Sequence, residues 1–514
     1  MNTYTDSFSG YVVRSSPRVE VAPRGSSTLP RNISHAVNQA HAQPNQQSTF
    51  GFKEAIKSKA TIFGTLFRPR KRREKKGNIV DVPPQANFTL TTHDKTLNYH
   101  NGKVVSGKPQ DLISLLVPTH DYYPEPNYIF TFLLCVRLFM PPVQVLQKVA
   151  DVVEKSIEED SEHRKEIAKN FMLLLVEWSE NFPFDFKCKN MMKEFGRCSK
   201  ICTNAKPALT SSVNMITKFL VQKFQELLTY VEVSKEFHIQ CDEEDKQLSD
   251  VCRDPVEFAE NLTILELEKL SQIGAEQFVE KFIAQDMTCS QLDLTSTATI
   301  SCLELYVAWF NRLSYLIATE ISMCPIKKDR VKLVNFFIEV GKCCFKKANF
   351  NSLMAIIVGL NMNAVARMRR TWLKANQSLF RKLEQEMSPE SNFRRYRDTL
   401  NERLKNRDKD YVIPVFSILV KDIYFLNEGI KDRLPNDLIN FEKFWQLSEQ
   451  IKDVIFLKNK KCEYSKNEAI MDYLKNTPVC NDEGIYKSSF EVEPPETNFE
   501  RARYKSVRIK IGNR

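Results

Sequence analysis

The sequence predicts an all-α protein in which a disordered, basic N-terminal segment precedes two packed helical domains. Glycine is scarce, with 14 residues in 514, where an average chain has roughly 7%. This scarcity disfavours folds that rely on glycine turns, such as β-propellers and most Rossmann sheets. From residue 109 onward, apolar residues recur at the 3.6-residue spacing of helices. No segment after residue 254 shows a convincing two-residue alternation, so we expect no strands there.

The net charge of +10 lies almost entirely in the first 90 residues. This segment carries 14 basic and 5 acidic side chains, so the other 424 residues carry 60 basic and 59 acidic ones. A folded body with balanced charge is not built to wrap nucleic acid, which is recognised mainly through its phosphates. We therefore expect no nucleic-acid partner for the helical domains.

Residues 1–94 are predicted to be disordered, because residues 1–49 are rich in Ser, Asn, Gln and Pro. A basic run follows several aromatic and aliphatic residues in this segment. It consists of Arg68, Arg70, Lys71, Arg72, Arg73, Lys75 and Lys76. Three interpretations stay open: a solvated linker, contact with an anionic membrane surface, and a nuclear import signal.

The cysteines and the N-terminus predict a cytoplasmic protein. The 13 cysteines form no CxxC pair, and residues 1–30 lack the apolar core of a signal peptide. The longest apolar stretch, 129–136, is far shorter than a membrane span. The basic run could in addition recruit this cytoplasmic protein to the inner face of a membrane. No feature of the sequence indicates an oligomeric state.

The helical pattern divides into two domains. Successive apolar faces predict a first domain at 95–232, which opens with a turn-rich element, and the acidic, polar residues 233–250 predict a linker. A second domain at 251–500 begins with Asp254-Pro255-Val-Glu257, which combines an N-cap, a proline at the first helical position and a capping-box glutamate. Residues 501–514 are predicted to form a tail.

The residues needed for bond-making chemistry are missing from the larger domain. None of the seven histidines lies in residues 251–514, which excludes imidazole acid–base catalysis there. Cys188, Cys198 and Cys202 lack a fourth zinc ligand at suitable spacing, so we expect buried free thiols. No GxSxG, HExxH or kinase motif occurs. The sequence therefore predicts no metal, no cofactor and no classical enzyme.

Three segments contain more polar and aromatic residues at defined positions than helix packing alone requires. They are residues 349–372, 412–429 and 438–445. Together they resemble the catalytic domain of Ras-family guanine-nucleotide exchange factors, and residues 121–139 resemble the Ras-exchanger motif domain that precedes it. The motifs occur in family order over about residues 95–500, and they resemble in particular the RasGEF-domain-containing family member 1 group.

The residues of the last two segments are compatible with a helical hairpin. Pro414 is suited to the first turn of a helix, and Gly429 is suited to its C-terminal end. Asn440 is a good N-cap for the helix that follows. A rigid hairpin of this kind can act as a wedge.

The resemblance implies that the hairpin stimulates GDP release from a Ras-family GTPase without bond chemistry. By alignment, Tyr424 occupies the position that blocks the Mg²⁺ site, and Glu428 engages the phosphate-loop region. Tyr424 is larger than the aliphatic residue common in the family. The further residues carried over as GTPase contacts are Asn361, Asn363, Arg367, Phe393, Lys421 and Asn427.

The subfamily resemblance implies a substrate of the Rap subgroup. A non-catalytic adaptor that binds a GTPase without exchange is the alternative. Tyr424 motivates this alternative, and so does Ser301, which stands where relatives often place a basic or polar contact.

Overall fold

The structure is a computed structural model that describes residues 96–235, 248–280, 282, 301–405, 411–458, 460 and 462–512. The predicted disordered segment and its basic run lie outside the described residues, as does most of the predicted linker. All described residues belong to one compact unit. Within these ranges, no helix combines the length and apolar character needed to cross a bilayer.

The described chain opens with an antiparallel β-hairpin, β1 (Asn98–His100) and β2 (Lys103–Gly107). The two connecting residues, Asn101 and Gly102, have φ of 51° and 76°. Positive φ at both positions is the type I′ geometry that an Asn-Gly pair favours, and its twist suits the flanking strands. The sequence pattern predicts only a turn-rich element here, and these two strands correct that prediction.

Helices make up the rest of the N-terminal half. They are α1 (Pro109–Ser114), α2 (Pro126–Cys135), α3 (Pro142–Glu159), α4 (Arg164–Asn181), α5 (Lys189–Ala205) and α6 (Thr210–Lys235), with 3₁₀ turns at Val136–Leu138, Pro183–Lys187 and Pro207–Leu209. Proline occupies the first helical position of α1, α2 and α3, where its missing N–H costs nothing and its fixed φ suits a helix.

The C-terminal half is also helical. Its elements are α7 (Leu248–Val251), α8 (Pro255–Ser271), α9 (Gln277–Glu280), α10 (Cys302–Met323), α11 (Lys327–Lys346), α12 (Phe350–Asn361), α13 (Asn363–Ala366), α14 (Arg369–Trp372), α15 (Gln377–Glu386), α16 (Glu390–Leu404), α17 (Phe416–Gly429), β3 (Ile439–Asn440), α18 (Phe441–Lys458), α19 (Glu468–Asn476), α20 (Asp482–Val492) and α21 (Asn498–Gly512). The all-α prediction is confirmed. The two-residue strand β3 contradicts the expectation of no strand after residue 254, since it forms by pairing with the distant β2.

The start of α8 matches the sequence in one respect and differs in another. The Asp254 side chain accepts a hydrogen bond from Val256 N at 2.9 Å, as an N-cap does. The Glu257 carboxylate is directed to Asn467, whose Nδ2 donates to it at 2.8 Å. A capping box would direct it back to the Asp254 N–H. Glu257 instead ties α8 to the start of α19.

The two halves pack through α2 and α18. Thr131 Oγ1 donates to Ser448 Oγ at 2.8 Å in a buried hydrogen bond. The rings of Phe139 and Phe444 stack nearby, with centroids 5.9 Å apart. Because α18 is one arm of the predicted hairpin, these contacts support the hairpin from the N-terminal half.

Candidate functional site

The predicted hairpin consists of α17, residues 430–438, β3 and α18. Helix α17 ends at Gly429, where the sequence places its end. Asn440 Oδ1 accepts a bond from Lys443 N at 3.4 Å, in the manner of an N-cap for α18. Pro414 does not open α17, contrary to the expectation, because the helix begins at Phe416 with Val415 as its N-cap.

Pro414 lies outside the helix because the residue before it is paired with another segment. Ile413 N donates to Ala348 O at 2.9 Å, and Ile413 O accepts from Phe350 N at 2.9 Å. These bonds form a parallel bridge between Ile413 and Asn349. The bridge holds the chain extended up to the start of α17 and fastens the hairpin to the N-terminus of α12.

One exposed face of α17 carries the residues that the sequence singles out. Lys421, Tyr424 and Glu428 follow a three- and four-residue spacing, which places them along one side of the helix. Lys421 and Glu428 are exposed, and Tyr424 is half-buried. The Tyr424 ring lies 6.1 Å from the ring of Phe282 and 5.9 Å from that of Phe425. Burial, and then the Glu428 carboxylate, raise the pKa of the Tyr424 hydroxyl, so Tyr424 is neutral at physiological pH.

Asn427, at the edge of this face, is buried, and it contacts Lys443 on α18. Its carbonyl oxygen accepts a bond from Lys443 Nζ at 2.8 Å, and the same ammonium contacts Asp432 Oδ1 at 2.5 Å. Lys443 therefore joins the end of α17 to the connecting loop and to α18. Asn427 Oδ1 is buried without a hydrogen-bond partner among the described residues. Lys443 is a site residue that the sequence analysis misses.

A buried carboxylate organises the base of the hairpin. Glu266 accepts bonds from Tyr306 Oη, from Trp309 Nε1 at 3.2 Å, and from Ser352 Oγ at 2.8 Å. Asn351 Nδ2 also donates to it, at 3.1 Å, and Asn351 Oδ1 accepts from Phe416 N at 3.2 Å. Burial raises the pKa of Glu266, and these four side chains oppose that rise. The first N–H of α17 is thus held by the helical core.

Helix α16 forms a second contact with the hairpin. Arg397 makes a bidentate ion pair with Asp422 on α17, at 2.6 and 2.9 Å, and its Nε donates to Asn392 O at 2.8 Å. No sequence motif singles out Arg397. Its bond to Asn392 connects the hairpin to Phe393, a predicted contact residue.

Phe393 lies in an unusual backbone segment. Ser391, Asn392 and Phe393 have φ of 50°, 58° and 60°, in the left-handed region that costs roughly 1–2 kcal/mol per non-glycine residue. The regular part of α16 therefore begins after Phe393, rather than at Ser388-Pro389-Glu390 as the sequence indicates. The Phe393 side chain in this turn is half-exposed.

The remaining predicted contacts lie in and beside α12 and α13. Asn361 Nδ2 donates to Glu384 Oε1 at 2.7 Å, and the Asn363 side chain is exposed. Arg367 Nε donates to Glu500 Oε1 at 3.1 Å, and its guanidinium lies 4.1 Å from the Phe490 ring.

Arg367 also donates to the carbonyl oxygens of Ser489 and Glu493, at 2.9 and 2.8 Å. Only 10% of its side chain is exposed. Arg367 thus anchors the C-terminal helix α21, which crosses residue 500, the predicted end of the catalytic domain. A GTPase contact by Arg367 would have to replace these bonds.

The small sheet joins the N-terminal half to the hairpin. Ser106 and Gly107 of β2 pair with Asn440 and Ile439 of β3 in antiparallel register. Trp445 Nε1, one turn into α18, donates to the carbonyl oxygen of the β2 residue Val104 at 2.8 Å. The N-terminal half therefore holds the α18 end of the hairpin by backbone pairing as well as by packing.

A helical core with a hairpin that is held by an N-terminal half forms a two-part architecture, and each part matches a known family. The RasGEF N-terminal motif matches residues 103–197, and the RasGEF domain matches residues 257–445. The chain is 39% identical over 442 residues to Ras-GEF domain-containing family member 1B-A of Danio rerio, which covers 81% of this chain and 86% of that protein.

Two further relatives show the same extent of similarity. Ras-GEF domain-containing family member 1B of Homo sapiens is 38% identical over 81% of this chain and 93% of its own length. Family member 1C of Macaca fascicularis is 39% identical over 80% of this chain and 92% of its own. The chain therefore belongs to the RasGEF family of guanine-nucleotide exchange factors, which makes a Ras-family GTPase its partner.

Proposed function

We propose that this protein releases GDP from a GTPase of the Rap subgroup by inserting the α17–α18 hairpin into the nucleotide site. The observation that carries the proposal is the exposed α17 face with Lys421, Tyr424 and Glu428, on a helix held at both ends by buried polar contacts. The subgroup rests on the subfamily resemblance alone.

The mechanism is a linkage between two ligands of the GTPase. An exchange factor that binds the nucleotide-free state more tightly must weaken nucleotide binding by the same factor. In the proposed complex, the Glu428 carboxylate takes the place of a phosphate oxygen among the cationic and hydroxyl groups of the GTPase. The neutral Tyr424 side chain occupies the space from which Mg²⁺ leaves. No covalent bond forms or breaks in this process.

Such a wedge works only if it does not bend, because a flexible hairpin would adapt to the bound nucleotide. Lys443 and Asn351 hold the two ends of α17 from inside the molecule. Arg397 holds its middle through Asp422. These contacts support a preorganised hairpin. The conformational entropy of the hairpin is then lost when the exchange factor folds, and not when it binds the GTPase.

The test is release of fluorescent GDP from purified Ras, Rap, Ral and Rho-type GTPases, with the full chain as catalyst. We expect acceleration on a Rap-subgroup protein. Glu428→Ala should slow release roughly 10- to 100-fold, since a hydrogen bond to a charged group contributes about 1.5–3 kcal/mol. The matched control is Glu449→Ala, an exposed glutamate on α18 away from the α17 face, which should leave the rate unchanged.

The adaptor alternative is favoured by one observation, the large Tyr424 ring lying beside Phe282 and Phe425. It predicts binding to a nucleotide-free GTPase with no acceleration of GDP release for any member of the panel. If a Ras-family member other than Rap responds, only the subgroup is wrong. If Glu428→Ala matches wild type on a responsive GTPase, the hairpin mechanism is wrong.

A further inference from the structure

Two histidines and an aspartate meet on the surface of the N-terminal half, far from the hairpin in the chain. Asp160 directly follows α3, and His163 directly precedes α4. His120 comes from the loop between α1 and α2. One ligand atom from each of the three residues lies within 4.8 Å of the other two.

The arrangement of these side chains approaches that of a metal site. His163 Nδ1 lies 3.0 Å from Asp160 Oδ2, and His120 Nδ1 lies 4.0 Å from the same oxygen. The two imidazole rings stack with centroids 4.2 Å apart and an interplanar angle of 24°. A tetrahedral zinc ion with bonds of about 2.0–2.2 Å separates its ligand atoms by roughly 3.3 Å. The three residues are therefore close to that spacing before any ion binds.

The backbone that carries these residues is fixed by its own hydrogen bonds. Asn170 Nδ2, on α4, donates to Thr119 O at 2.8 Å, which fastens the His120 loop to the helix that His163 precedes. His163 N donates to Asp160 Oδ1 at 3.0 Å and closes the α3–α4 turn. A site fixed in this way loses little conformational freedom on binding.

The cluster is also open to an ion from solution. The side chains of His120, His163 and Asp160 are 40%, 42% and 35% exposed. Asp121 Oδ1 lies 3.8 Å from His120 Nδ1, so a second carboxylate or a water is available for the fourth position.

We propose that His120, Asp160 and His163 form a zinc-binding site that ties the α1–α2 loop to the α3–α4 turn. Two imidazoles and one carboxylate suit Zn²⁺, whereas Mg²⁺ and Ca²⁺ prefer oxygen ligands throughout. The role is structural, because the site clips together two loops of the N-terminal half. The expectation of no metal rests on the histidine-free larger domain and on the cysteines, and it overlooks this cluster, whose His120 is distant in the chain from Asp160 and His163.

Calorimetric titration of ZnCl₂ into the full chain under reducing conditions tests the site. His163→Gln and Asp160→Asn should each weaken one Zn²⁺-binding event by at least about tenfold, because even residues that only orient a zinc ligand contribute 10- to 100-fold to affinity. Asn at 160 keeps the oxygen that accepts from His163 N, so the turn is preserved. The control is His100→Gln, an exposed histidine on β1, which should bind as wild type does.

Chemical modification provides a second readout that does not depend on a variant folding. Zn²⁺ should protect His120 and His163 from diethylpyrocarbonate, as mapped by peptide mass spectrometry, and should leave the reactivity of His100 unchanged. Zn²⁺ should also raise the melting temperature of wild type and not that of Asp160→Asn. Equal Zn²⁺ binding by wild type and both variants, or no protection of the two histidines, would reduce the cluster to a His–Asp hydrogen bond with a ring stack.

Discussion

Replacing Lys443 by methionine tests whether the orientation of the hairpin is needed for nucleotide exchange. The Lys443 side chain is 1% exposed, and its ammonium contacts Asn427 O at the end of α17 and Asp432 in the connecting loop. Methionine keeps most of the aliphatic stem, so the change removes the ammonium without opening a large cavity. The substitution therefore removes the link between the two arms and little else.

The magnitude follows from what each contact contributes. A hydrogen bond from a charged donor to a buried carbonyl contributes about 1.5–3 kcal/mol. The pair with Asp432, which is 39% exposed, adds about 0–1 kcal/mol. Removing the buried ammonium also removes its desolvation cost, which offsets part of this loss. We expect the free energy of unfolding to fall by about 2 kcal/mol. If the transition state for GDP release loses the same stabilisation, release slows about 30-fold.

Two measurements check this prediction: the urea midpoint of the full chain, and GDP release from the GTPase that responds to wild type. Lys452→Met is the matched control, because it lies on the same helix and its Nζ donates at 3.0 Å to Asn127 of the N-terminal half. It should leave the exchange rate within a few-fold of wild type. A Lys443→Met protein that is folded, less stable and still fully active would refute the reasoning.

Two further predictions concern buried carboxylates. In wild type, the side chains around Glu266 donate hydrogen bonds to its carboxylate. Glu266→Gln replaces one carboxylate oxygen by an amide N–H₂ group, which is itself a donor, so the free energy of unfolding should fall by about 3 kcal/mol. Urea denaturation measures this loss, and an unchanged midpoint would contradict the network. Burial, and then the Asp185 carboxylate, raise the pKa of Glu276 to about 8 from an ordinary 4.5, against the opposing charge of Arg137. Because the folded state holds this proton more tightly than the unfolded state, wild-type stability should decline relative to Glu276→Gln as pH rises from about 4.5 to 8. Melting temperatures at several pH values measure that difference, and a pH-independent difference would contradict the shift.

The helical class is predictable from the sequence because its signals are local. Apolar spacing, the Asp254 N-cap and the end of α17 at Gly429 each depend on residues within a few positions of one another. The strands β1 and β2 also have a local signal, the Asn101-Gly102 pair, which favours a two-residue hairpin turn. Interpreting the stretch only as a turn-rich element misses the two strands that flank this turn.

The partners of the site residues are not predictable in the same way. Tyr424 and Glu428 follow from a motif, but Lys443 and Arg397 act through residues 11 to 25 positions away. Basic residues at such spacings most often lie on solvated faces, so no pattern distinguishes them. The left-handed turn at Ser391–Phe393 is also not predictable from the sequence, since none of its three residues is glycine. The prediction that Pro414 opens α17 is wrong because of a contact that is distant in the chain. Its neighbour Ile413 forms a β-bridge with Asn349.

The distribution of polar contacts around the hairpin is itself an argument about function. Buried polar groups add little net stability, since their hydrogen bonds mainly offset the cost of removing them from water. Apolar packing would hold α17 as firmly, but it tolerates small slides between helices. The contacts of Asn351 with Phe416 N, Lys443 with Asn427 O and Arg397 with Asp422 each fix a distance and a direction. Three such contacts along one helix set its angle to the core, which is the property that a wedge requires and that stability alone does not.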